Sequence, residues 1–450
     1  MRSRDKPGPS ILAVTATVLG SRGVILAAGF ITSILLARAL GPEGRGLLAT
    51  LTVVPFLAIS LFDLGVRQAA VHLVGDNRFD DTTALGAIIA LAVITGLIAT
   101  GVSTGYFLVL DQPELSPLLI GLAVGVVPVA VLICYLRGFF LGKGQIGRFN
   151  QTNWIPAVGT LGGVAVLVYG LGLGIAGALA ATLAATLLVG IRALWLVLRT
   201  TPLRPHLKRA VVQPLLTLGV AYAAALFMLN LNYRIDIVML SHLGAPAEVG
   251  IYSLAVTLAE LLWQIPAALG VIVFSRSARG GQDMALSRSV AGLARLAVLL
   301  CGLCALAIAP FGPAFIRLVY GQSFAASADV LILLLPGIVL YAPVKVLNMD
   351  LCGRGRPLLS LWMTIPTVLL NVVLNLFLIP RYGAQGAAVA SSISYTLGCG
   401  AFAVVYARGI GLGLGDVLIP RLHDFAPLAT MLSRARSFSF RRMTRDTDPV

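Results

Sequence analysis

Twelve long runs of mainly apolar residues divide this chain, and they leave little choice in what it can fold into. They lie at about 11–40, 46–73, 82–110, 117–141, 151–170, 174–198, 213–243, 249–275, 288–310, 327–352, 357–380 and 385–408. A bilayer core about 30 Å thick is crossed by about 20 helical residues. The runs are continuous rather than alternating, which excludes a transmembrane barrel. Only 11% of the 450 residues are charged, against about 25% in soluble domains. The expectation is an all-α polytopic membrane protein. The first run follows MRSRDKPGPS and continues to Leu40. It is too long for a signal-peptide core and lacks a clear small-residue cleavage site, so it reads as the first span.

The net charge of +15 suggests nucleic acid until the positions of the charges are read. With the N-terminus, alternate loops and the C-terminal tail on one side, that side holds 26 of the 33 lysines and arginines. The other side holds Arg38, Arg45, Arg317 and Arg381. Such a bias places both termini in the cytoplasm. The basic charge is then an orientation device with some attraction to anionic lipid, and no nucleic-acid partner is expected. The outer loops are short, which leaves no room for an external catalytic domain and argues against a glycan polymerase or ligase. The division expected is a cytoplasmic N-terminus (1–10), a six-helix bundle (11–199), a cytoplasmic linker (200–212), a second six-helix bundle (213–408) and a basic tail (409–450). The tail is glycine-rich, then rich in arginine and serine, and reads as disordered, with a lipid-surface segment over 427–443 as the competing reading.

The two halves echo each other. LGPEGRGLL (40–48) matches LGAPAEVGIY (243–252), LGKGQ (141–145) matches CGRGR (352–356), and GIAGALAATLAA (174–185) matches GAQGAAVASSIS (383–394). Six spans is an even number, so both halves enter the membrane from the same side. Such a parallel repeat builds two bundles that rock about a central site. Gly159-x-x-x-Gly163 and Gly170-x-x-x-Gly174 read as close helix-packing faces. Of the five cysteines, Cys301-x-x-Cys304 has redox spacing but no polar surroundings, and reads as packing. His72, His206, His242 and His423 are scattered, so no metal or cofactor is expected.

ARALGPEGRG (37–46), DLGVRQAA (63–70), RIDIVMLSHLG around Asp236, EVGIYSLA (248–255), CGRGRPLL (352–359) and NVVLNLFLIPRYGAQGAAVA (371–390) carry a resemblance. They resemble the polysaccharide-transporter branch, the O-antigen flippases, of the multidrug/oligosaccharidyl-lipid/polysaccharide (MOP) exporter superfamily. The likeness covers residues 10–408, and LNLFLIPRYGAQGAA is its most specific piece. It implies about twelve helices in two pseudo-symmetric six-helix bundles around a central cavity. It also implies movement of an undecaprenyl-diphosphate-linked glycan from the inner to the outer leaflet. Partners would then be that lipid-linked glycan, membrane lipids and other polysaccharide-assembly membrane proteins. The family has no sharp catalytic signature, so residue roles come from chemistry.

A cation inside a membrane span is costly and usually faces a bundle interior or a wet cavity. Arg22, Arg234 and Lys345 are such cations. Arg22 and Arg234 fall on corresponding spans of the two halves. Arginine suits a diphosphate because its planar fork donates two hydrogen bonds at once. The competing reading is internal neutralisation, Arg234 or Lys345 pairing with Asp236 or Asp350. Asp236 and Glu260 read as ion-coupling or gating carboxylates, or equally as structural partners. Asp63 reads as an i,i+4 surface pair with Arg67. Asn230, Asn232, Asn371 and Asn375 offer a polar lining for sugar, or bridges between helices. Pro128, Pro266, Pro336 and Pro343 mark bends. Two other cargoes compete: a cationic drug, for an antiporter, and a peptidoglycan precursor.

Overall fold

The computed structural model describes residues 11–76, 78–110, 112–203, 208–280 and 283–419. Among these residues every regular element is helical: α1 (Ile11–Phe62), α2 (Val66–Gly75), α3 (Asp81–Leu110), α4 (Pro117–Gly142), α5 (Ile146–Val164), α6 (Gly174–Leu198), α7 (Arg209–Leu243), α8 (Pro246–Ala259), α9 (Gln264–Gly280), α10 (Met284–Val319), α11 (Ser327–Gly353), α12 (Pro357–Ile410) and α13 (Leu414–Leu418). A π-helical turn (Ala165–Gly170) follows α5, and a 3-10 turn (Glu260–Trp263) joins α8 to α9.

Ten stretches of the described residues are long and apolar enough to cross a membrane. Two of them, Gly20–Gly75 and Pro357–Ile410, are 56 and 54 residues long, far more than the roughly 20 one crossing needs. Each reverses at a glycine. Gly41 in α1 has φ 65° and ψ −175°, and Gly383 in α12 has φ 53° and ψ −130°. The reversal is visible in the contacts. Arg45 Nη1 donates to the Ser33 carbonyl at 3.1 Å, although twelve residues of straight helix span about 18 Å. A Cβ on Gly386 would stand 2.3 Å from the Leu378 carbonyl oxygen, eight residues back. The ten stretches therefore make twelve crossings, matching the apolar runs of the sequence.

The chain forms two compact units. Unit 1 holds residues up to Val256, Gly312–Leu333 and Val368–Ala390; unit 2 holds Thr257–Phe311, Leu334–Thr367 and the residues from Ser391 on. In unit 1, Leu85 and Ile88 of α3, Tyr135, Leu136 and Phe140 of α4 and Val66 of α2 are completely buried in one core. Small residues set the helix spacing. Cβ atoms on Gly159 and Gly163 would stand 3.0 and 2.7 Å from the Cβ atoms of Ala185 and Ala181, so α5 and α6 touch nearly backbone to backbone. The second expected motif does not pack this way. Gly170 ends the π-helical turn, and Gly174 (φ +53°) has open space beside it. In unit 2, Gly337 lies against Ser392 and Gly398 against Thr367.

The expected Asp63–Arg67 surface pair is corrected in its setting: Arg67 remains a nearby positive charge for Asp63, but the carboxylate is buried. The second crossing breaks here: α1 ends at Phe62, Leu64 and Gly65 take φ 46° and 64°, and α2 starts at Val66. Gly65 seats on the Gly219 backbone of α7, where its Cβ would stand 2.1 Å from the carbonyl oxygen. Asp63 is buried, and the Cys134 thiol donates to it at 3.1 Å. At the far end, the first residues beyond α12 form α13, with Val417 buried. The N-terminus at 1–10, residues 204–207 of the expected linker and the tail from 420 on, including 427–443, lie outside the described residues.

Candidate functional site

The seventh crossing, α7, carries polar residues that divide onto two faces. Residues four apart share a helix face, and those two apart do not. Asn230 and Arg234 face the second crossing of α1. Asn230 Nδ2 donates to Ser60 Oγ at 2.7 Å, and the Arg234 guanidinium lies 5.8 Å from the Phe56 ring centroid, within cation–π range. Asn232 and Asp236 face the interior and are completely or almost completely buried. Asp236 Oδ2 accepts from the Tyr252 hydroxyl of α8 at 2.9 Å, and Oδ1 accepts from Asn375 Nδ2 of α12 at 2.6 Å. Asn375 also donates to Asn371 Oδ1 at 2.8 Å. Three helices are thus tied by one buried carboxylate. Arg22 lies half-buried on α1 in the same unit.

Lys345 and Glu260 belong to unit 2. The Lys345 ammonium stands 3.9 Å from the Trp263 ring centroid. Trp263 sits with Tyr341 and Tyr395, centroids 6.0 and 5.8 Å away, and its indole N–H donates to the Ile338 carbonyl at 3.0 Å. Glu260 opens the 3-10 turn ahead of Pro266. Proline cannot donate to the carbonyl four residues earlier, here Leu262. The Cys301 thiol donates to that oxygen at 3.4 Å, which gives this cysteine a structural duty.

Asp350, completely buried on α11, pairs with Arg354 at 2.8 Å. It also accepts from Ser277 Oγ at 2.5 Å and the Tyr406 hydroxyl at 2.7 Å. In the sequence Arg354 reads as a loop cation, and the competing reading of internal neutralisation offers Arg234 or Lys345 as the partner. The i,i+4 spacing of Asp350 and Arg354 is the signal that points to the true pair. Glu248 carries no such signal: its carboxylate accepts the Ala384 N–H at 2.6 Å, and nothing in a loop sequence announces such a long-range cap. Of the nine residues singled out, the structure gathers Asp236, Asn371 and Asn375 into one network and sets Asn230 and Arg234 on one helix face. It divides the three cations, with Arg22 and Arg234 in unit 1 and Lys345 in unit 2.

Twelve apolar crossings with buried charges define a multi-pass membrane protein, and comparison with solved structures identifies its fold. The chain is similar to an inward-facing multidrug resistance MATE family transporter of the MOP superfamily. The TM-score is 0.72 at 17% identity, covering 88% of this chain and 98% of the other. It is similar to the lipid II flippase MurJ in an inward closed conformation, with TM-score 0.69 at 14% identity, covering 94% and 93%. The fold is the all-α MOP fold. A family model described as polysaccharide biosynthesis protein matches residues 13–274, and the chain belongs to that family. It is also 29% identical over 176 residues to stage V sporulation protein B of Bacillus subtilis (strain 168), a match covering 35% of this chain. The chain spans about a third of the length of that curated relative.

Proposed function

We propose that this protein is a flippase that moves an undecaprenyl-diphosphate-linked oligosaccharide from the inner to the outer leaflet of a bacterial cytoplasmic membrane, by alternating access, for cell-surface polysaccharide synthesis. Membership of the polysaccharide biosynthesis protein family is the observation that carries this reading. The chemistry agrees with it. A diphosphate crossing a low-dielectric core needs cations along its path, and Arg22, Arg234 and Lys345 supply them within the spans. Asp236 serves as a coupling or gating carboxylate, because its network joins α7, α8 and α12 and a change of its charge would loosen all three. Glu260, beside a helix irregularity, is the second candidate for that role. Asn230, with Arg234 on the face of α7 toward α1, is the sugar-binding amide. Asn232, Asn371 and Asn375 act as bridges between helices. Both termini lie in the cytoplasm, on the strength of the charge bias. The reaction is transport, and other polysaccharide-assembly membrane proteins are its expected neighbours.

The similarity to a multidrug transporter favours a second reading, a drug/cation antiporter. The similarity to MurJ favours a third, a peptidoglycan-precursor flippase. Lipid analysis of a deletion strain separates them. Accumulation of an intact lipid-linked repeat unit on the cytoplasmic leaflet, relieved by wild type but not by equally abundant Arg234→Ala, supports the proposal. Accumulation of peptidoglycan precursor instead supports the third reading. No accumulation, with altered sensitivity to cationic drugs, replaces the proposal with the antiporter.

A further inference from the structure

The turn of α1 at Gly41 and the start of α8 are corresponding pieces of the two halves, LGPEGRG and LGAPAEVG. They meet reciprocally. A Cβ on Gly46 would stand 1.8 Å from the Pro246 carbonyl oxygen, and one on Gly250 would stand 1.9 Å from the Pro42 carbonyl oxygen. Each glycine leaves the space that a proline carbonyl of the other half fills. The two backbones therefore cross about a local two-fold, with no side chain between them.

Further contacts join the halves at the same end of unit 1. Gln112 Nε2 donates to the Ser241 carbonyl at 2.9 Å, and Tyr106 meets the His242 ring with centroids 5.5 Å apart. Arg38 donates from Nε to the Val319 carbonyl and from Nη2 to the Leu318 carbonyl, both at 2.7 Å. These are the last carbonyls of α10, where helix acceptors are unpaired and the helix dipole is negative. Phe30 stacks on Phe315 with centroids 6.4 Å apart, and Tyr320 meets both edge-on at 6.5 and 6.3 Å. Phe30, Arg38 and Gly46 come from the first half; Phe315, Leu318, Val319 and Gly250 come from the second.

Near four of the five points where they leave or enter unit 1, the second-half helices carry a 3-10 turn or a proline that permits bending. The chain passes between the units after Val256, Phe311, Leu333, Thr367 and Ala390. The 3-10 turn beginning at Glu260 follows the first of these points within a few residues. Pro313, Pro336 and Pro366 stand beside the next three. A proline removes a backbone hydrogen bond and lets a helix bend at low cost. The contact consists of two crossing backbones, one exposed arginine, a few ring edges and the hydrogen bond from Gln112 to the Ser241 carbonyl.

We propose that the Gly46–Gly250 crossing, clasped by Arg38, is a releasable lock: closed in this structure, and opened when the second-half segments swing away on those bends. This deepens the flippase reading, since it names the contact that must part before cargo leaves, at the end that the charge bias assigns to the outside. The lock does not depend on which cargo passes.

The test uses full-length protein with its five cysteines replaced, carrying Arg38→Cys and Val319→Cys. A short bifunctional methanethiosulfonate should join the pair, stop relief of glycan accumulation in the deletion strain, and release the block on reduction. Gly46→Val or Gly250→Val should lower the cross-linking yield, because each puts a side chain onto a backbone carbonyl. Where a valine variant fails to fold, Arg38→Ala with the reporter pair Phe30→Cys and Phe315→Cys asks the same question without disturbing the backbone. Full function in the cross-linked state overturns the lock, as does an unchanged yield in folded valine or Arg38→Ala variants. If the deletion strain accumulates no lipid-linked glycan, the flippase reading falls, while the cross-linking yields still decide the lock.

Discussion

At Gly41 the chain reverses and the helix restarts on Pro42; at Gly383 it reverses and restarts on Ala384, whose N–H is held by Glu248. Both turns use backbone angles that essentially only glycine adopts. They differ in how they treat the first N–H of the new helix, a donor with no helical partner. Proline has no such donor and suits the first helical position. Alanine has one, and Ala384 is buried, where an unmet donor is expensive, so a carboxylate is brought from α8. The second solution ties the first N–H of the new helix to a side chain of another helix; the first leaves no N–H to tie. Space around the glycines follows the same division. A Cβ on Gly41 would meet nothing within 4 Å, while one on Gly383 would stand 2.6 Å from Glu248 Oε2.

The largest effect is expected at Gly383. Gly383→Ala should cost the backbone strain, about 1–3 kcal/mol, and displace the Glu248 cap as well, about another 1–2 kcal/mol. Unfolding of the purified protein in mixed micelles measures the sum. Glu248→Ala should cost about 2 kcal/mol, the loss of a charge-assisted hydrogen bond at a helix start. In the Gly383→Ala background the same change should cost much less, and full additivity in that double-mutant cycle would refute the displaced cap. Gly41→Ala should show the strain alone, about 1–3 kcal/mol; a loss as large as that of Gly383→Ala would erase the distinction. Smallest is Pro42→Ala, about 0.5–1 kcal/mol, from a less restricted unfolded chain, because position 42 is only half-buried. Ala384→Pro makes the second turn resemble the first, and Glu248→Ala should then be nearly silent in the same unfolding measurement.

Much of the fold is legible in the sequence. Both reversals fall within a few residues of where the apolar runs stop, because the runs end where the chain leaves the bilayer and glycine marks the stop. The bend near Pro266 is legible too, although the 3-10 turn before it and the Cys301 thiol on Leu262 are not. Among the candidate residues, buried charge is easier to see than its partner. Asp350 and Asp236 stand out in apolar surroundings, but Arg354 looks like one more loop cation, and Tyr252 and Asn375 bear no mark of facing Asp236. Asp63 misleads in its setting: the helix breaks at Leu64–Gly65, and the carboxylate is buried with the Cys134 thiol donating to it, while Arg67 still acts on its charge.

The number of crossings, the repeat and the expected sidedness are written in the residues alone, since a bilayer imposes length and polarity on each segment independently. Which buried groups meet beyond the Asp350–Arg354 pair is settled by packing: Asp350 with Tyr406 and Ser277; Asp236 with Tyr252 and Asn375; Glu248 with Ala384; Gly46 with Gly250. Those pairings join residues from 16 to more than 200 positions apart. A hydrogen bond reaches only about 3 Å, and helix packing rather than local pattern brings its two ends together.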